Sequence, residues 1–198
     1  MGAAAAAGTL DRRGVVADLV AGVPDALIVA GLGSPSYDLF AAGDRELNFY
    51  LWGAMGAAVP MGLGLALAQP ERSVVVLTGD GEQLMGVGSL AAVGARRPAN
   101  LSIVVLDNGH YGETGMQPSH TSLGTDLIAL AAGFGIPHAL RVSTRPEVTV
   151  LRDHVLARSG PTFAQVLISP DEPPRTLPPR DGVHLKNRFR GALGLPPF

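Results

Sequence analysis

The sequence contains no cysteine, which excludes disulfides, thiolate metal sites and cysteine nucleophiles. Charge is scarce as well: 16% of the residues are Asp, Glu, Lys or Arg, and the formal net charge is −2. That balance leaves no basic patch for nucleic acid and no polybasic stripe for a membrane surface. The first residues, Met1-Gly2-Ala3 through Ala7, lack the basic start and leucine-rich stretch of a secretory leader and read as a frayed tail. One uncharged run, residues 49–68, has the length of a bilayer span, about 20 residues. It is interrupted by Gly53, Gly56, Pro60, Gly62 and Gly64, so it reads as a buried helix packed closely against something flat. The expectation is a cytoplasmic protein with no membrane and no nucleic-acid partner. Internal repeats are also lacking.

What the sequence does have is an alternation. Its 198 residues suffice for one domain with a sizeable core. Apolar, β-rich runs at 26–30, 73–77, 101–106 and 163–168 read as strands. A weaker one at 135–142 carries Pro137, which predicts an edge strand or a late start. Helical stretches at 36–42, 54–68, 84–97, 126–133 and 146–158 lie between them. Apolar strands each followed by a helix predict an α/β fold, a doubly wound parallel sheet with helices on both faces. From Pro170 the texture changes. Pro170, Pro173, Pro174, Pro178 and Pro179 predict an extended arm that ends in a short helix near 183–193. Such an arm wraps a neighbour or its own sheet edge. The organisation is therefore a tail and leading helix (1–25), the α/β domain (26–169), and the Pro-rich arm with its helix (170–198).

Two polar corners interrupt the apolar runs. Gly79-Asp80-Gly81 follows the strand at 73–77, and Asp107-Asn108-Gly109 follows the strand at 101–106. In a parallel α/β sheet, ligands sit beyond the carboxyl ends of the strands. If these strands are neighbours, their ends lie about 5 Å apart. A carboxylate and an amide oxygen at that separation suit Mg²⁺, which takes six oxygens and shares them with phosphates and water. The glycines allow the backbone to approach a phosphate, and a helix starting near Glu82 adds its positive end. Taken singly, Asp80 is a helix cap and Asn108-Gly109 an ordinary turn. At successive strand ends they describe a site for a metal and a diphosphate.

This arrangement resembles the signature of thiamine diphosphate-dependent 2-oxo acid decarboxylases, GDG followed some two dozen residues later by NN. Asp107 stands at the first Asn of that signature, as it does in the phosphonopyruvate and sulfopyruvate decarboxylases. The segments "GLGSPSYDLF", "NFYLWGAMGAAVPMGLGLALA", "GDGEQLMGVGSLAAV", "NLSIVVLDNGHYGETGMQP" and "VHLKNRFRGAL" match that subgroup in order and cover most of residues 26–193. The resemblance implies thiamine diphosphate and Mg²⁺ as cofactors. Asp80 and Asn108 would hold Mg²⁺ by their side chains and His110 by its backbone carbonyl. Gly33, Ser34, Gly81, Glu82, Tyr111 and Gly112 would surround the diphosphate. The Gly53 carbonyl would accept a hydrogen bond from the aminopyrimidine. Met55 would be the bulky residue wedged under the cofactor, and a core methionine as well. Glu82 replaces the usual serine. A carboxylate aimed at a diphosphate is repelled by it, so Glu82 is expected to turn outward or to be held by a partner. Thr114 and Gln117 are the candidate substrate contacts, with Glu113 nearby. Met116 stands where the subgroup has Asp or Asn. His120 reads as a surface loop histidine.

The family also needs a glutamate from a pyrimidine-binding domain, ordinarily preceding this one. Only about 25 residues precede the first predicted strand, and none of Glu46, Glu71, Glu82, Glu113, Glu147 and Glu172 sits in such a context. The catalytic, activating glutamate is thus expected on a partner. The resemblance thus implies the β-subunit of a hetero-oligomer, at least α2β2, that would decarboxylate a small 2-oxo acid. Two other functions fit the same residues: a carboligase of the acyloin or acetolactate type, and a non-catalytic cofactor-binding subunit. A nicotinamide-binding module fits poorly, because Gly31-Leu32-Gly33-Ser34-Pro35-Ser36 lacks the third glycine and no acidic residue ends the second strand.

Overall fold

The computed structural model describes residues 8–196. The reading of residues 1–7 as a frayed tail lies outside the described residues. In chain order the main elements are α1 (Arg12–Gly22), β1 (Leu27–Ala30), α2 (Ser34–Ala41), β2 (Asn48–Tyr50), α3 (Ala58–Ala68), β3 (Val74–Gly79), α4 (Asp80–Met85), α5 (Ser89–Arg96) and β4 (Leu101–Asp107). There follow the two-residue strands β5 (His110–Tyr111) and β6 (Gln117–Pro118), then α6 (Leu127–Gly133), β7 (His138–Val142), α7 (Arg145–Ala157), β8 (Thr162–Leu167) and α8 (Gly182–Ala192).

Six strands form one sheet in the order β2-β1-β3-β4-β8-β7, and every pairing is parallel. The central strands are apolar throughout because both of their faces are covered. Along β3, Val75 and Leu77 point to one core with Leu19, Leu151 and Val166, beneath α1 and α7. Val74 and Val76 point to the other, with Val59, Leu90 and Phe163, beneath α3 and α5. The expected doubly wound α/β architecture is what the chain adopts.

Three local features differ from the sequence reading. β2 is a third strand of the sheet's first half, only three residues long and hidden at the start of the apolar run. The helix expected from 54 begins at Ala58, since Gly53, Ala54 and Gly56 have φ of 75°, 51° and 88°, a left-handed corner that no helix passes through. The helix expected over 84–97 is two helices, α4 and α5. The chain breaks at Gly86, where an added Cβ would stand 2.2 Å from the Gly56 carbonyl oxygen. Pro137 acts in both of the ways considered: β7 starts one residue after it and lies at the sheet's edge.

Gly62 packs α3 onto the sheet: a Cβ there would lie 2.1 Å from Val76 Cγ2. Its small size serves helix–strand contact, not contact with a flat cofactor as expected. The arm folds onto its own sheet edge. Trp52 Nε1 donates to the Pro179 carbonyl at 2.7 Å, Arg188 Nη1 pairs with Asp44 at 2.6 Å, and the Phe49 and Phe189 rings meet edge to face at 5.6 Å. α8 thereby covers the otherwise open edge at β2. Among the described residues, no helix is long and apolar enough to cross a membrane.

Candidate functional site

The sheet order reverses between β1 and β3, the place where open α/β sheets bind ligands. An open cleft lies there, at the carboxyl ends of β1, β3 and β4. Register places Gly79 beside Leu106, so the corners at Asp80 and Asn108 emerge from adjacent strands as the spacing predicts. Asp80 is the first residue of α4 and not its cap, which is Gly79. Gly33, with φ of 82°, caps α2 without a side chain, and its carbonyl accepts from the Ser36 and Tyr37 N–H groups at 3.0 and 3.2 Å. Gly81 lets the Tyr111 ring lie on bare backbone, since a Cβ there would come within 2.6 Å of Tyr111 Cε1. An added Cβ at Gly79 would meet nothing within 4 Å, so the missing side chain is open room in the cleft wall.

Asp80 is 2% exposed and stands beside a second buried carboxylate, Asp107. Burial, and then the Asp107 charge, push the Asp80 carboxyl up to about 6 against the hydrogen bonds it accepts from Ser119 and Thr121. Asp107 accepts from Gln165 Nε2 at 2.6 Å, Thr121 Oγ1 at 2.9 Å and the Gly109 N–H at 2.9 Å. Asn108 Oδ1 accepts from the His110 N–H at 3.0 Å, which leaves it a second lone pair. The His110 ring is engaged locally, its Nδ1 lying 2.8 Å from the Asn108 carbonyl oxygen, in keeping with a role for its backbone alone. Two buried acids at adjacent strand ends make a site whose charge a divalent cation would neutralise. Among the described residues, no three His, Asp or Glu side chains converge to hold a metal by themselves. A cation here would take its remaining oxygens from amide, carbonyl, diphosphate and water, as Mg²⁺ ordinarily does. The residues fit a magnesium diphosphate group.

The cleft collects Ser34, Met55, Asp80, Gly81, Glu82, Asn108, His110, Tyr111, Gly112, Glu113 and Thr114 from the sequence reading. Gly33 adjoins it, its α-carbon facing Glu113. Gly53 and Gln117 do not line it. Met55 is 44% exposed and stands at the cleft, so it is not a core residue as expected. Glu82 does not turn outward. It is 4% exposed, accepts from Thr78 Oγ1 at 2.8 Å, and lies against Gly31, where any Cβ would collide with its carboxylate. Burial raises its carboxyl above the ordinary range. Thr114 and Gln117 bond each other, at 3.0 Å from hydroxyl to amide oxygen and 2.8 Å from amide nitrogen to carbonyl. Glu113 pairs with Arg175 of the arm at 3.1 Å.

Sequence reasoning missed Arg12 and Asp38, which line the cleft as a buried ion pair at 2.7 Å. Burial pushes the Asp38 carboxyl up, against the pull of Arg12 and Arg13. Only the packing of α1 on α2 brings these residues together, and no motif marks either. Ser119 and Thr121 were missed too. They read as loop hydroxyls, yet both are buried on Asp80.

Residues 36–166 match the family described as thiamine pyrophosphate enzyme, C-terminal TPP binding domain. The chain is 39% identical over 185 residues to phosphonopyruvate decarboxylase of Streptomyces viridochromogenes, covering 90% of this chain and 45% of that protein. It is 37% identical over 180 residues to sulfopyruvate decarboxylase subunit beta of Methanothermobacter thermautotrophicus, covering 91% and 94%. It thus spans about half the length of the first relative and nearly all of the second. Among solved structures, the thiamine diphosphate-dependent 4-hydroxybenzoylformate decarboxylase of Rhodococcus jostii superposes with a TM-score of 0.68 at 25% identity, over 87% of this chain and 35% of that one.

Proposed function

The chain belongs to the thiamine pyrophosphate enzyme family through its C-terminal TPP binding domain, and from that premise we propose that it is the diphosphate-binding β-subunit of a two-component decarboxylase. Its substrate is a small 2-oxo acid of the phosphonopyruvate or sulfopyruvate kind. The observation that carries this reading is the buried Asp80 carboxylate at a glycine-flanked corner, one strand away from Asn108, inside the cleft at the switch point. Similarity over nearly the whole of a β-subunit supports the two-component form.

In this reading Asp80, Asn108 and the His110 carbonyl hold Mg²⁺. The α2 N-terminus at Gly33 and Ser34, with Gly81, Tyr111 and Gly112, flanks the diphosphate. Met55 props the cofactor, which its exposure at the cleft permits, and the Gly53 carbonyl orients the pyrimidine amino group. Glu82 gives its carboxylate to Thr78 and to the backbone at Gly56 and Leu32, bracing the corner after β1 against the corner after β3. Glu113 and Thr114 face the substrate. Bound thiamine diphosphate supplies the electron sink that lets a 2-oxo acid release CO2. A separate pyrimidine-binding α-subunit supplies the activating glutamate, in an assembly with at least two copies of each chain. Among the chain's own glutamates at the cleft, Glu82 is held by Thr78 and Glu113 by Arg175.

Asp80→Ala tests the assignment. Calorimetric titration with thiamine diphosphate, with and without Mg²⁺, is expected to show that the variant has lost the Mg²⁺-dependent part of binding. Unchanged Mg²⁺-dependent affinity would contradict the assignment.

A further inference from the structure

In the turn that follows β6, the side chains of Ser119, Thr121 and Ser122 reach the corners after β3 and β4, and His120 between them meets Tyr111. Ser119 Oγ donates to Asp80 Oδ2. The His120 Nδ1 and Tyr111 hydroxyl oxygen lie 2.6 Å apart. Thr121 Oγ1 lies 3.2 Å from Asp80 Oδ2 and 2.9 Å from Asp107 Oδ1, and Ser122 Oγ donates to the Gly109 carbonyl at 2.5 Å. The Ser119 N–H donates to that same carbonyl at 2.8 Å. Ser119 is 0% and Thr121 3% exposed. A loop hydroxyl ordinarily faces water, and burying one is costly without a partner. Here two are buried, and their partners are the two carboxylates.

We propose that Ser119 and Thr121 are positioning residues for the cation at Asp80, and that residues 119–122 form the segment that locks the metal corner. The inference rests on the reading of Asp80 as a Mg²⁺ ligand. Both hydroxyls fall on Oδ2, so neither occupies Oδ1, and the carboxylate plane is fixed from behind. A hydroxyl has one proton to give. Thr121 cannot donate to Asp80 and Asp107 together, so its proton goes to one of them while Ser119 holds Asp80. Gln165 holds the other oxygen of Asp107, Oδ2, while the Gly109 N–H shares Oδ1 with Thr121.

Mn²⁺ titrated into the full chain with thiamine diphosphate, with free Mn²⁺ read by electron paramagnetic resonance, tests this. Ser119→Ala and Thr121→Val are expected to weaken Mn²⁺ binding about 10–100-fold, the usual cost of losing a partner behind a metal ligand. They should also alter the spectrum of the bound ion. Thr121→Ser, which keeps the hydroxyl, is expected to restore most of the affinity. Asp80→Ala is expected to abolish binding. Wild-type affinity in Ser119→Ala and Thr121→Val, with binding lost in Asp80→Ala, would overturn the positioning role and leave the Asp80 assignment standing. Wild-type affinity in Asp80→Ala would overturn the assignment itself. Melting in chelator identifies any variant that fails to fold. If Thr121→Val fails, Ser119→Ala decides, because it removes a single oxygen.

Discussion

At Asp80 burial and the neighbouring Asp107 carboxylate act on one carboxyl, and this has a pH consequence. The folded carboxyl titrates at about 6, above its ordinary 3.8. The folded chain therefore binds a proton more tightly here than the unfolded chain does, and this group's contribution to stability falls as pH rises from 3.8 to about 6. A cation competes with that proton. The stabilisation of the fold by Mg²⁺ with thiamine diphosphate is expected to be large at neutral pH and to fade below about 6. Thermal melting across that range checks it, and a Mg²⁺ effect independent of pH would count against Asp80 as the ligand. Residue-level legibility was uneven for a physical reason. The GDG and DNG corners announce themselves because backbone conformation and ligand chemistry both restrict them. Ser119, Thr121, Arg12 and Asp38 act through contacts made only in three dimensions, and Ser, Thr and Arg in loops or first turns carry no local mark.

The elements follow the alternation of apolar runs closely, and they depart from it where tertiary contact overrides local pattern. A continuous small-residue run reads as one helix from Ala54, but the left-handed corner at Gly53, Ala54 and Gly56 delays α3 to Ala58. β2 has three residues and takes its identity from parallel pairing with β1, so nothing within it separates it from the run that follows. At Gly62, α3 lies directly against Val76 of β3. Gly62→Ala is expected to cost about 1–3 kcal/mol by overpacking against Val76, read as a lower denaturant midpoint with an unchanged slope. An unchanged midpoint would mean that α3 has room to shift. Because α3 follows the Met55 loop directly, such a shift would also move the residue proposed to prop the cofactor.

At the scale of the whole molecule, the sheet, its switch point and the arm leave the cleft in which the proposed function places the metal and diphosphate end of a cofactor. Inside that cleft, the two glutamates are committed to Thr78 and Arg175. The arm that might have reached for a neighbour instead closes the molecule's own edge at β2. On the proposed reading, a pyrimidine-binding partner would meet the cleft's open side. The direct measurement is CO2 release from a panel of 2-oxo acids, including phosphonopyruvate and sulfopyruvate, with thiamine diphosphate and Mg²⁺ in excess. It compares the purified chain alone with the chain combined with a pyrimidine-binding α-subunit. No turnover by the chain alone and turnover by the combination is the expected result; robust decarboxylation by the chain alone would contradict it.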